Sequence, residues 1–284
     1  MLGAYYRLTK PGIVYGNAIT AAGGFLLASK RHIDIGLLLA TLAGLSLIIA
    51  SACVFNNYID RDIDKKMVRT KKRALVSGII SGRNALIYAS LLGLTGGLIL
   101  GLFTNLLTLS IALAGLFAYV VLYGVGKRRT VHGTVIGSIS GAVPPVVGYT
   151  AVTDRLDTGA LLLFIILVCW QMPHFYAIAI YRSKDYTAAK IPVLPLKRGL
   201  RHTKIQMAGY ILAFTAATIA LAGFGYAGTA YLVVMVLVSL AWLRLALQGF
   251  KTKDDNAWAR KLFRFSLIVT LTFSIMISLN AVLP

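Results

Sequence analysis

Nine stretches of this chain are each apolar for about twenty residues, and that feature decides most of how it can fold. A helix that crosses a hydrocarbon core needs ~20 mostly apolar residues. Runs over approximately 12–29, 35–58, 84–103, 105–124, 131–151, 159–181, 206–225, 228–247 and 262–282 have that character. In lipid every backbone N–H and C=O must be paired within the structure, and a helix does this inside one segment. The expected fold is therefore all-α, a bundle of nine transmembrane helices forming one domain over residues 1–284. Composition removes the soluble alternative. With 58% hydrophobic and 13% charged residues, there is too little polar surface to cover a soluble domain. The first residues lack a charged-then-apolar run with a small-residue cleavage site, so no cleavable signal peptide is expected. Cys53 and Cys169 fall inside apolar runs without disulfide or zinc spacing and are expected to be buried thiols.

The charge is lopsided, with 29 Lys+Arg against 9 acidic residues, all of them Asp. In a soluble chain this would suggest nucleic acid; in a membrane chain it is orientation, and no nucleic-acid partner is expected. With the N-terminus inside, 26 basic residues fall on the cytoplasmic side and only Lys30, Arg31 and Arg155 outside. The expected location is the plasma membrane, with the N-terminus cytoplasmic. The longest inner loops, 59–83 and 182–205, then hold most of the polar chemistry. Gly93, Gly97 and Gly101, and Gly133, Gly137 and Gly141, repeat at four-residue spacing and predict close helix packing. Pro144 and Pro145 predict a kink in the fifth span. Trp242 and Trp258 read as interfacial anchors. The chain beyond residue 205 carries no chemical motif and reads as helices that close the bundle.

The second span ends Asn56-Asn57-Tyr58-Ile59-Asp60-Arg61-Asp62-Ile63-Asp64. Asn56, Asp60 and Asp64 are four apart and share a helix face, whereas Asp62 points elsewhere. Two carboxylates at i,i+4 repel, and the last turn of a helix is the negative end of its dipole. Both conflicts are relieved by a hard divalent cation, and Mg²⁺ typically takes one or two carboxylates with phosphate oxygens and water. The following Lys65-Lys66-Met67-Val68-Arg69-Thr70-Lys71-Lys72-Arg73 supplies the cations a phosphate needs. Acids, metal and basic loop describe a diphosphate site. The sixth span should end on the same face, with Tyr181 and Asp185 four residues apart. His174 is a polar residue within that span, eleven residues before Asp185, or ~16 Å deeper on a continuous helix. His132 opens the fifth span.

These residues carry a family resemblance. NNYIDRDID followed by KKMVRTKKR resembles the first Asp-rich motif, NxxxDxxxD, of the UbiA-type intramembrane prenyltransferases. LTKPGI at 8–13, WQMPHF at 170–175 and YRSKDYTAAKIPVLP at 181–195 resemble the branch of that superfamily that farnesylates haem. The resemblance runs from residue 8 to about 200. It implies transfer of the farnesyl group of farnesyl diphosphate to a vinyl group of haem b, with water adding as well. It implies Mg²⁺ on Asp60, Asp64 and Asp185, and diphosphate contacts from Asn56, Arg69, Lys72, Arg73 and Tyr181. His174 and His132 are the candidates for the haem side. Membrane lipid is an expected partner, as is a haem A synthase or terminal oxidase that would receive the product. The chain departs from the second family motif, DxxxD, by having Tyr181 in place of its first carboxylate. Two other readings stay open: a UbiA-type enzyme acting on an aromatic quinone precursor, and a small-molecule transporter. Against the transporter, the carboxylates gather at one membrane face instead of mid-span.

Overall fold

The computed structural model describes residues 1–280 and 282. Among the described residues there are helices and no strands. Among the described residues nine helices are long and apolar enough to cross a membrane: Pro11–Ser29, Ile35–Ile59, Gly82–Phe103, Leu106–Arg129, Gly133–Thr153, Thr158–Tyr181, Leu200–Gly223, Thr229–Lys251 and Asp255–Leu279. They match the nine expected runs in order. The seventh and ninth begin six or seven residues earlier than expected, because their first turns are amphipathic rather than apolar.

Local chemistry explains several starts. The side chains of Asp34, Ser81, Asn105, Asp157 and Asp254 each accept a backbone N–H in the first turn of the helix that follows. Such caps satisfy donors that have no partner within the helix. Three of the nine aspartates are thus accounted for as caps. The Pro144-Pro145 pair acts as expected: the fifth span breaks at Ala142, into Gly133–Gly141 and Val143–Thr153. The fourth span contains an unexpected π-helical segment, Ala118–Tyr123.

Spans 1, 2, 4, 5, 6 and 9 surround a central cavity, and spans 3, 7 and 8 pack outside them. Small residues set the closest approaches. Spans 1 and 5 touch backbone to backbone, with Gly24 against the Pro145 carbonyl and Gly148 against that of Ala21; a Cβ at either would overlap the carbonyl. Span 3 meets span 2 through Gly96 against Gly44, and Gly93 meets Ser51. Gly97, expected in this contact, has nothing near it, because the true contact face steps by three residues from Gly93 to Gly96. Gly133, Gly137 and Gly141 are packed as expected, against Lys127, Tyr123 and Gln171.

Trp242 and Trp258 are a correction. Both are buried, at 0% and 6% exposure, and neither sits as an interfacial anchor. Trp242 packs edge-on against Phe214, and Trp258 Nε1 donates to the Leu245 carbonyl, so both serve the packing of spans 7, 8 and 9. Cys53 and Cys169 are free and buried, as expected.

Candidate active site

The second span stops at Ile59, and Asp60 caps it before a short helix, Arg61–Asp64. The i,i+4 relation survives the break, since Asp60 N–H donates to the Asn56 carbonyl at 2.9 Å and Asp64 N–H to the Asp60 carbonyl at 2.8 Å. The side chains divide as the register predicts. Those of Asp60 and Asp64 are 13% and 6% exposed and face inward, while that of Asp62 is 64% exposed.

Each inward carboxylate meets a cation. Arg73 Nη1 lies 2.6 Å from Asp64 Oδ2, and Thr70 Oγ1 ties the loop by donating to the Asp64 carbonyl. Asp60 pairs with Lys127, whose side chain is itself only 10% exposed. Arg128 spans Asp60 and Asp62, at 3.5 Å and 3.0 Å, and also donates to the Ile59 carbonyl. Partial burial raises the Asp62 carboxyl, but Arg128 outweighs it and holds the group below its usual range. Lys10, from the turn before the first span, donates to Asn56 Oδ1 at 2.8 Å. Burial, with Arg73 and Lys127 nearby, pushes Lys10 down to about 8. Lys10, Lys127 and Arg128 were not among the expected site residues. From the sequence they are ordinary loop and helix-end cations, and only tertiary packing brings them to the aspartates.

One atom stands out. Asn56 Nδ2 is buried and has no partner among the described residues. A buried amide donor without an acceptor costs about 1–3 kcal/mol, and an incoming phosphate oxygen would satisfy it. The donor set fits Mg²⁺. Asp60 and Asp64 offer hard oxygen ligands, and no cluster of three His, Cys, Asp or Glu side chains forms a complete cage among the described residues. Mg²⁺ needs no such cage when substrate phosphates and water fill its shell.

The second loop is partly as expected. The sixth span ends at Tyr181, and the chain turns at Arg182 into a separate helix, Ser183–Ala188. Tyr181 and Asp185 therefore do not share one continuous helix face, and the ~16 Å depth argument for His174, which assumed continuity, does not apply. Tyr181 packs on Phe263 and under Arg182 and Arg260. Tyr186 lines the cavity in its place, and burial pushes its hydroxyl up, with Arg69 partly opposing. Asp185 is half-buried and has no ion pair among the described residues. The two loops are brought together by an apolar cluster of Ile63, Met67, Ala189 and Ile191. Arg69 and Lys72 are exposed on the first loop.

Behind this polar mouth lies the apolar cavity, about 410 Å³, within the range of sites that enclose a small molecule. Its walls include Asn17, Cys53, Tyr119, Gln171 and His174. Tyr119 and Tyr123, from the π segment, stack at 5.5 Å, with Lys127 Nζ 4.8 Å from the Tyr123 ring centre. His174 is 8% exposed and stacks on Trp170 at 4.9 Å and against Phe263 at 4.8 Å. His132 is not brought to the cavity. It is exposed and precedes the helix Gly133–Gly141. The ninth span, expected only to close the bundle, contributes Leu267 and Thr270 to the cavity wall.

Carboxylates and cations at the mouth of an apolar chamber between helices are the make-up of an intramembrane prenyltransferase. The chain belongs to the UbiA prenyltransferase family, which it matches over residues 17–268. It is 54% identical over 286 residues to a protoheme IX farnesyltransferase of Sodalis glossinidius (strain morsitans), covering 100% of this chain and 96% of that protein. Among solved structures, its fold matches one described under digeranylgeranylglyceryl phosphate synthase, with TM-score 0.82 at 19% identity over 99% of this chain and 98% of that one. It also matches a UbiA homolog from Archaeoglobus fulgidus bound to GPP and Mg2+, with TM-score 0.65 at 14% identity over 97% of this chain and 99% of that one.

Proposed function

We propose that the chain transfers the farnesyl group of farnesyl diphosphate to a vinyl group of haem b, with water adding at the same substituent, to give haem O. The observation that carries the reading is the pairing of a cation-lined carboxylate site, holding the unpartnered Asn56 amide, with an apolar cavity walled by His174. The name borne by the Sodalis relative, over nearly its whole length, supports the choice of substrates.

The diphosphate sits at the mouth, contacted by Asn56 Nδ2, Lys10, Lys127, Arg128 and Arg73, with Arg69 and Lys72 at its outer edge. Asp60 and Asp64, with Asp185 from the facing loop, would hold Mg²⁺. When bound, the ion neutralises charge on the departing diphosphate. The site cations supply the remainder of that stabilisation as the bond from C1 to oxygen breaks. The isoprenoid tail lies in the cavity, where water is excluded until the allylic cation meets its acceptor. The faces of Tyr119 and Tyr123 border this path, and an aromatic face attracts a cation. The vinyl terminal carbon attacks C1, and the adjacent carbon then takes a water oxygen with loss of one proton. His174 contacts the haem. The reaction mouth faces the cytoplasm, as the basic residues direct.

Mass spectrometry of haem extracted from cells that make this chain tests the reading. Haem carrying a hydroxyethylfarnesyl group is expected, and its absence, with the protein present in the membrane, refutes it.

A further inference from the structure

Ser266 of the ninth span is fully buried and meets two rings of the sixth span. Its Oγ lies 2.6 Å from the Phe263 carbonyl oxygen and 2.7 Å from His174 Nδ1. A hydroxyl has one proton to give, and a carbonyl can only accept. The Ser266 proton therefore goes to Phe263, and the contact with His174 runs from the ring to the hydroxyl. This fixes the proton of His174 on Nδ1. His174 Nε2 makes no hydrogen bond among the described residues, so no acceptor stands ready for a second N–H and the nitrogen keeps its lone pair. The backbone carbonyl of the same Ser266 accepts Trp170 Nε1–H at 2.7 Å. One residue thus orients both rings of the Trp170–His174 stack, whose planes are 30° apart. His174 lines the cavity and Ser266 does not.

We propose that Ser266 is a positioning residue for the acceptor end of the reaction. It holds His174 in the Nδ1–H form, so that Nε2 offers a lone pair to the iron of the incoming haem. Metal-binding histidines commonly donate their other ring N–H to a fixed acceptor, and loss of that acceptor typically costs 10–100-fold in metal affinity. The inference rests on the haem reading above, and it is tested by readouts that do not need turnover.

The chain has four histidines, so a long-range ¹⁵N–¹H correlation spectrum of the full chain in detergent resolves their rings, and His174→Gln identifies the one in question. The wild type should show Nδ1 protonated and Nε2 bare, and added ferric haem should remove the bare-nitrogen signal as its Soret band shifts. Ser266→Ala should release the ring to the Nε2–H form. It should weaken haem binding about tenfold, with farnesyl diphosphate affinity unchanged as the check on folding. Ser266→Thr, which keeps the hydroxyl, should restore the Nδ1–H form. A wild-type ring protonated at Nε2 overturns the proposal. So does a Ser266→Ala protein that keeps both its tautomer and its haem affinity, or a His174→Gln protein that binds haem as tightly as the wild type. The haem-extraction experiment reads the reaction itself, so failure there is a separate result.

Discussion

Replacing Lys127 by Met removes the charge that faces Asp60 while keeping most of the side-chain volume. Both partners are nearly enclosed, at 10% and 13% side-chain exposure, and the next cation, Arg128, is 3.5 Å from Asp60 and shared with Asp62. Removing one member of a buried pair typically costs 3–5 kcal/mol, because a charge is left uncompensated. With Arg128 close by, the lower end applies, about 3 kcal/mol. At 2–4 °C for each kcal/mol in a chain of this size, that corresponds to a fall of roughly 6–12 °C in apparent Tm. Tryptophan fluorescence during heating in detergent, with metal chelated, would measure it. Mg²⁺ should then restore the variant more than it stabilises the wild type, because in the wild type it must displace Lys127 from Asp60. Saturation at a hundredfold over Kd returns about 2.7 kcal/mol, close to the deficit. An unchanged Tm without metal, or equal Mg²⁺ increments in both proteins, refutes the reasoning.

Asp60→Ala and Asp64→Ala should each abolish prenyl transfer, Asn56→Ala should reduce it partially, and Asp62→Ala should be mild, as assayed by product chromatography. Equal losses at Asp60 and Asp62 would contradict the inward and outward division of these side chains. Lys10, held down to about 8, loses its charge as pH rises through that value. Its ordinary value is higher, so the folded chain binds fewer protons than the unfolded one between about 8 and 10.5, and this group's contribution to stability rises with pH there. Diphosphate capture should move the opposite way: kcat/KM for farnesyl diphosphate should fall above pH about 8 in the wild type and lose that step in Lys10→Met. For orientation, a reporter that works only in the cytoplasm should be active when inserted near Lys253 and silent near Arg155; the reverse would move the mouth to the other face.

The nine spans were legible because lipid imposes one length and one pairing rule on every crossing segment. The carboxylate register was legible because four-residue spacing is local, and it survived even a helix break at Asp60. What needed the folded chain was non-local. Lys127 reaches Asp60 across 67 positions of sequence, and Ser266 reaches His174 across 92. Nothing in a run of basic residues says which one turns inward. The exchange of Tyr181 for Tyr186 at the cavity has a local cause, the turn at Arg182, but Tyr-Arg-Ser-Lys-Asp carries no Gly or Pro to announce it. Trp242 and Trp258 were misplaced because tryptophan near the end of a span suits either a headgroup or an interhelical core, and the hydrogen bond from Trp258 to Leu245 decides for the core.

The π-helical segment of the fourth span has a consequence for how this chain can vary. A π turn is an α-helix carrying one residue too many, and such bulges concentrate at functional sites. Deleting any one residue between Ala118 and Tyr123 would let the segment relax to ordinary α geometry. The 24-residue helix would still be long enough to cross the membrane. Because the widened turn already absorbs the extra residue, the flanking α segments would keep nearly their present phase, with Lys127 and Arg128 still at the carboxylates, while Tyr119 and Tyr123 would be re-aimed in the cavity wall. Indels are usually harmless in loops and merely disruptive in helices. Here a single-codon gap within the π segment would leave an inserted, folded bundle with its polar mouth aligned and only the Tyr119–Tyr123 wall altered, whereas the same gap in the α turns just before it would rotate Lys127 by about 100°.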